Sequence, residues 1–116
     1  MTAKAPLVGI VGPCGAGKST LANGLRDRGY NARSIAQEHS FVPDMWQRLT
    51  APNILVFLQA SCRVGARRRN MSWTEKEWQE QQHRLRHARQ HAQIFVETDT
   101  LDIPGVLQEV MQLLPG

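Results

Sequence analysis

At 116 residues, with 41% hydrophobic and 21% charged residues, the chain has the composition of one ordinary globular domain and is too apolar for global disorder. Its formal charge of +4 and pI near 9.7 favour anionic partners without choosing between nucleotides and nucleic acids. Two cysteines, Cys14 and Cys62, exclude a disulfide framework, and no run approaches the roughly 20 apolar residues of a membrane span, so a cytoplasmic protein in a reducing compartment is expected.

The first predicted element is Leu7–Val11, an almost wholly apolar run that suits a strand buried on both faces of a parallel sheet. Directly after it, Gly12-Pro13-Cys14-Gly15-Ala16-Gly17-Lys18-Ser19 fills the template G-x-x-x-x-G-K-[ST] at every fixed position, with Thr20 following. The chemistry explains the residue types. Glycines let backbone N–H groups approach phosphate oxygens, Lys18 supplies a point charge for the β and γ phosphates, and the Ser19 hydroxyl is a ligand for the accompanying Mg²⁺. The run from Ser19 to Arg28, with Leu21 and Leu25 four apart, predicts a helix ending at Gly29, whose N-terminus adds partial positive charge beneath the phosphates. Gly24 within it suits close packing on the sheet.

Tyr30–Gln37 predicts a second strand that delivers Gln37, Glu38 and His39 to the edge where ligands of open α/β sheets bind, which makes Glu38 the best-placed acid for Mg²⁺ or for steering a nucleophile. Around Pro43 a turn leads into a short helix capped by Asp44 and carrying Met45, Trp46 and Leu49, apolar residues expected in the core. Ile54–Leu58 is the next strand. Beyond it Arg63, Arg67, Arg68 and Arg69 fall within seven positions and suit a lid closing over polyphosphate, whose oxygens match guanidinium forks. Overlapping capping boxes at Ser72-x-x-Glu75 and Thr74-x-x-Glu77 predict a helix running to about His91, with Trp78, Gln81, Leu85, Ala88 and Ala92 on its packed face. Arg84, Arg86 and Arg89 could be directed back to the cleft, and Arg86 and Arg89, three apart, share one face; the stripe His83, His87, His91 reads as solvated surface, not as a metal site. A last strand over Gln93–Glu97 leads to the loop Thr98–Asp102, whose groups, Asp99 among them, could hold a base edge. A closing helix then starts near Pro104, with Val106, Leu107, Val110, Leu113 and Leu114 buried.

Taken together, these segments resemble a small P-loop kinase of the group that includes nucleoside monophosphate, shikimate and adenylyl-sulfate kinases. The likeness is carried by Gly12 to Leu21, by Asn53-Ile54-Leu55-Val56-Phe57-Leu58-Gln59-Ala60 as the strand before the lid, by Arg67, Arg68 and Arg69 in the lid, and by Phe95-Val96-Glu97-Thr98-Asp99-Thr100-Leu101 as the last strand and base-side loop. It implies a single P-loop nucleotide-binding domain over residues 1–116, of the three-layer α/β P-loop NTPase fold, with a lid-like segment at about 62–92 and a short parallel sheet of about four strands. The resemblance further implies ATP and Mg²⁺ as cofactors and a small-molecule acceptor.

The chain also departs from that pattern. Family members carry two strand–helix units between the P-loop helix and the strand before the lid, whereas Tyr30–Pro52 has room for one. If the acceptor-side unit is the one lost, the strand ending at Glu38 pairs with the P-loop strand and Glu38 replaces the usual Walker B aspartate; if the other is lost, no such acid remains. Two functions therefore stay open on sequence alone: a minimal Mg²⁺-dependent phosphotransferase, or a nucleotide-binding sensor or subunit with little or no turnover. In the first, Lys18, Glu38, Arg67, Arg68 and Arg69 carry catalysis, Ser19 and Glu38 the metal, and residues 12–20 with Arg86, Arg89 and Asp99 the nucleotide. No base-reading Asx-Lys-x-Asp pattern for GTP is present, which favours ATP. Neither membrane nor nucleic acid is expected as a partner, and a small sheet with an uncovered edge would gain from a second copy.

Overall fold

In the computed structural model, residues 6–13, 15–61 and 75–114 are described. Two apolar runs form the centre of the sheet: β1 (Leu7–Val11) and β3 (Ile54–Gln59), whose inner residues are all buried because helices cover both of their faces. The flanking strands β2 (Asn31–Ser34) and β4 (Ile94–Glu97) are more polar and more exposed, as strands at sheet edges are. All pairings are parallel and the order is β2-β1-β3-β4, with Ile10 opposite Ser34 and Val56, and Phe57 opposite Phe95. Every strand therefore ends on the same edge, where β1 runs into the glycine loop.

Helix α1 (Lys18–Asp27) and helix α5 (Ile103–Leu113) cover one face. Leu21, Ala22 and Leu25 from α1 and Val106 and Val110 from α5 pack on Val8, Ile10, Val56, Leu58 and Val96. Gly24 serves the contact between these two helices, not one with the sheet. A β-carbon there would lie 3.2 Å from Leu107 Cδ2. Asp102 caps α5 by accepting from the Gly105 N–H at 2.8 Å, with Pro104 in the first turn. Leu113, expected inside, is 52% exposed, because the helix turns its stripe to Val106 and Val110 and leaves the burial at its end to Leu114.

The other face is covered by α2 (Met45–Leu49), α3 (Glu75–Arg84) and α4 (Arg86–His91). Trp46, Leu85 and Ala88 meet Val11, Ile35, Leu55 and Phe57 there. Burying a side chain such as Phe57 completely stabilises the fold by about 2–3 kcal/mol. Trp46 also satisfies its indole N–H on His87 Nδ1 at 3.1 Å, so the second core is pinned by a hydrogen bond as well as by packing.

Three local expectations are corrected by side-chain chemistry. β2 stops at Ser34, not Gln37: Ile35 N–H still donates to the Ile10 carbonyl, and the chain then coils into a 3₁₀ turn over Gln37–His39 whose buried side chains find their partners off the sheet. The helix drawn through to His91 is broken at Leu85. The Arg84 carbonyl accepts from Gln37 Nε2 at 3.1 Å, and a side chain inserted into the helical ladder is a sufficient cause of a break. Asp44 occupies the cap position of α2 without capping it, because Arg48 takes its carboxylate at 2.9 Å and thereby holds the carboxyl below its ordinary range. Leu49, on the same short helix, is exposed, while Trp46 is buried as expected. No helix among the described residues is long and apolar enough to cross a membrane.

Candidate active site

The glycine loop is shaped by contacts that only glycine tolerates. Gly12, at φ 157°, lies so close to β3 that a β-carbon would collide with the Leu58 carbonyl oxygen. Gly15 and Gly17 have φ of 83° and 93°, in the left-handed region. Gly17 is the N-cap of α1, and its carbonyl accepts the first helical bond from Leu21 at 3.0 Å. The loop thus ends on a helix N-terminus, where unpaired N–H groups and the helix dipole favour an anion.

Lys18 curls back across the loop. Its ammonium donates to the carbonyls of Gly12 at 2.9 Å and Pro13 at 3.1 Å, and to Glu38 Oε2 at 2.6 Å. Its side chain is 10% exposed and that of Glu38 4%, so this ion pair is shielded from solvent screening. Glu38 reaches it because β2 lies directly beside β1 and the 3₁₀ turn at its end points inward. Of the two topologies that the sequence left open, the chain has the one in which β2, the strand that leads to Glu38, pairs with β1.

These groups line a cleft of about 830 Å³ that holds Ser19, Thr20, Glu38 and His39 on one side and the start of α5, Leu101 to Pro104, on the other. His39 Nε2 lies 3.8 Å from Glu38 Oε2 and is mostly exposed. The remaining predicted residues stand elsewhere. Asp99 accepts from the Ser61 N–H at 3.0 Å, and Leu101 to Pro104 wall the cleft where Asp99 was expected. Arg86 donates to the His83 carbonyl at 2.7 Å, and Arg89 lies over the stacked rings of Phe57 and Phe95 at 5.4 and 5.6 Å. Arg84 is the arginine of this stretch that reaches the site, donating to the Glu38 carbonyl at 3.2 Å. Cys14, Arg63 and Arg67 to Arg69 lie outside the described residues. His87 and His91 stack at 4.2 Å with Trp46 and the His87 carbonyl as their hydrogen-bond partners.

A family model described as an AAA domain matches residues 8–98, from β1 to the end of β4, and the chain belongs to that family. It is accordingly a P-loop nucleotide-binding protein of the kinase-like superfamily, built on an α/β sheet. No curated protein matches the chain.

The family generally binds nucleotide together with Mg²⁺, and the donors here suit that ion. Ser19 and Glu38 offer hard oxygen ligands in one cleft. Among the described residues no group of three or more His, Cys, Asp or Glu could hold a metal ion by itself.

Proposed function

We propose that the protein is a minimal ATP-dependent phosphotransferase acting on a small molecule. The observation that carries this reading is the buried Glu38 carboxylate 2.6 Å from Lys18 at the mouth of the phosphate loop. A loop that only bound nucleotide would need the lysine and the amides; an acid held beside them supplies what transfer needs in addition.

In the reaction the acceptor hydroxyl oxygen bonds to the γ-phosphorus as the bond from that phosphorus to the β–γ bridging oxygen breaks, and the nucleoside diphosphate leaves with the electron pair. Lys18 and the loop amides stabilise charge on the phosphoryl oxygens. Glu38 takes the hydroxyl proton or orients the group that carries it, and Arg84 fixes Glu38 through its carbonyl. Ser19 and Glu38 would hold Mg²⁺, which would supply charge neutralisation for the phosphoryl oxygens. Arg67, Arg68 and Arg69 are the proposed source of further positive charge over the nucleotide.

The test is transfer of labelled γ-phosphate from ATP to a panel of nucleotides and small hydroxyl compounds, with Lys18→Ala as the control. Equal background from wild type and variant, alongside tight ATP binding by the wild type, would replace this reading with that of a nucleotide-binding sensor or subunit.

A further inference from the structure

The two edges of the sheet are built differently. β2 carries the exposed Arg33, and Arg26 Nε donates to the Ala32 carbonyl at 2.8 Å, so this edge is charged and partly capped by a side chain. β4 has no such guard. Ile94-Phe95-Val96-Glu97 contains no lysine, arginine, proline or glycine, and among the described residues no side chain bonds to its backbone. Gln93 turns its N–H inward to the Leu55 carbonyl at 3.0 Å, and backbone direction alternates along a strand, so the N–H and C=O groups of Ile94 and Val96 face outward.

Side chains at this edge are unfinished as well. Phe95 stacks on its cross-strand neighbour Phe57, with centroids 5.3 Å apart and planes within 6°, so Phe57 covers its inner face while the outer face looks past the edge. The ring is 44% exposed. Arg89 lies over both rings, and Glu97, two residues beyond Phe95 and therefore on the same face of the sheet, is exposed. Neither Arg89 nor Glu97 makes an ion pair among the described residues.

We propose that β4 is a dimerisation edge, pairing antiparallel with β4 of a second copy of the chain with Val96 at the twofold axis. Charge selects this register. With Val96 opposite itself, Phe95 stands opposite Glu97 of the second copy, whose methylenes cover the open ring while its carboxylate meets Arg89; the axis makes the contact twice. With Phe95 at the axis, the two Arg89 side chains would approach each other, and Glu97 would face Gln93, whose side-chain oxygen already accepts from the Leu55 N–H at 2.7 Å. The occupant is a second copy because the edge complements itself, one strand supplying both the ring under its arginine and the carboxylate.

The pairing leaves the phosphate site open. All strands of one copy end on the edge that bears its cleft, so antiparallel joining sets the two clefts on opposite edges of a continuous sheet of twice four strands. The inference is independent of the phosphotransferase reading.

The experiment is analytical ultracentrifugation of the full chain from about 10 µM to about 1 mM, the range in which small interfaces associate. A monomer–dimer equilibrium is expected, weakened by salt. Glu97→Arg and Arg89→Glu each weaken it by at least about tenfold, because attraction becomes repulsion at two symmetry-related contacts. The two substitutions combined in one chain restore it, which separates lost pairing from lost folding. Arg33→Glu, on the opposite edge, leaves it unchanged. Hydrogen exchange at Ile94 and Val96 slows as the dimer forms. The proposal is overturned by a monomer at every concentration, by unchanged association in Glu97→Arg, by failure of the double variant to restore the dimer, or by a dimer that responds to Arg33→Glu, which would place the contact at β2.

Discussion

Lys18 Nζ and Glu38 Oε2 stand 2.6 Å apart across 20 positions of sequence, joined because β2 packs beside β1. The pair divides two functions that separate variants can resolve. Lys18→Ala removes the point charge for the phosphates and is expected to weaken ATP binding strongly. Glu38→Gln keeps the shape and is expected to leave ATP binding within a few-fold of wild type while lowering phosphate transfer by about 100-fold or more, the usual worth of a positioned acid–base group. Calorimetry for binding and labelled-phosphate transfer for turnover check the two halves. Equal losses of binding in both variants would assign Glu38 to loop structure alone.

Gln37 is expected to behave as a structural brace. Replacing it by Ala strands the Trp46 N–H and the Arg84 carbonyl, whereas the Val42 carbonyl keeps the Met45 N–H and the Ser40 hydroxyl as donors. Buried polar groups left without partners cost about 1–3 kcal/mol each where water cannot replace the lost bond, and some repair is available near the cleft, so a net loss of about 2–4 kcal/mol is expected. Denaturant unfolding at constant m-value measures it. A loss below about 0.5 kcal/mol, the scale of a surface change, would show that water or neighbouring groups replace the brace.

The parts of the fold that were legible in the sequence are those where one physical signal acted alone. The glycine loop announces itself through residue types that no other loop geometry requires, and β1 and β3 through apolar runs too continuous for exposed strands. The strand pairing of β2 is not legible, because an eight-residue alternating run fits beside β1 or beyond it equally well. Gln37 illustrates why boundaries moved. A polar residue at a strand end reads as exposed, yet its amide is buried and donates to the Arg84 carbonyl where the helix breaks. Of the three arginines that the sequence offers to the cleft, Arg84, Arg86 and Arg89, only tertiary contact picks out Arg84, which donates to the Glu38 carbonyl.

Val110 and Leu113 test how α5 is seated. Both belong to the apolar stripe of the sequence, but Val110 is fully buried and Leu113 is half out. Val110→Ala is expected to cost about 2 kcal/mol, from lost transfer energy and an unfilled cavity, and Leu113→Ala less than about 0.5 kcal/mol. Thermal or denaturant unfolding of the two variants decides it; reversed magnitudes would mean that the helix is rotated by about one residue.

Gly12 and Gly17 separate collision from backbone strain as reasons for a glycine. At Gly17 a β-carbon would meet nothing within 4 Å, so the cost of Gly17→Ala comes from φ 93° alone. That cost is about 1–2 kcal/mol, and because Gly17 caps α1, ATP affinity should fall with it. At Gly12 the β-carbon would drive into the Leu58 carbonyl on the neighbouring strand, and backbone cannot rotate away as a side chain can. Gly12→Ala must therefore move the phosphate loop relative to β3, and it is expected to destabilise by more than Gly17→Ala and to lose ATP binding altogether. Unfolding midpoints and ATP titrations on both variants measure the contrast. Equal stability losses would mean that the loop and β3 can part at no cost, which is incompatible with the close approach of Gly12 to Leu58.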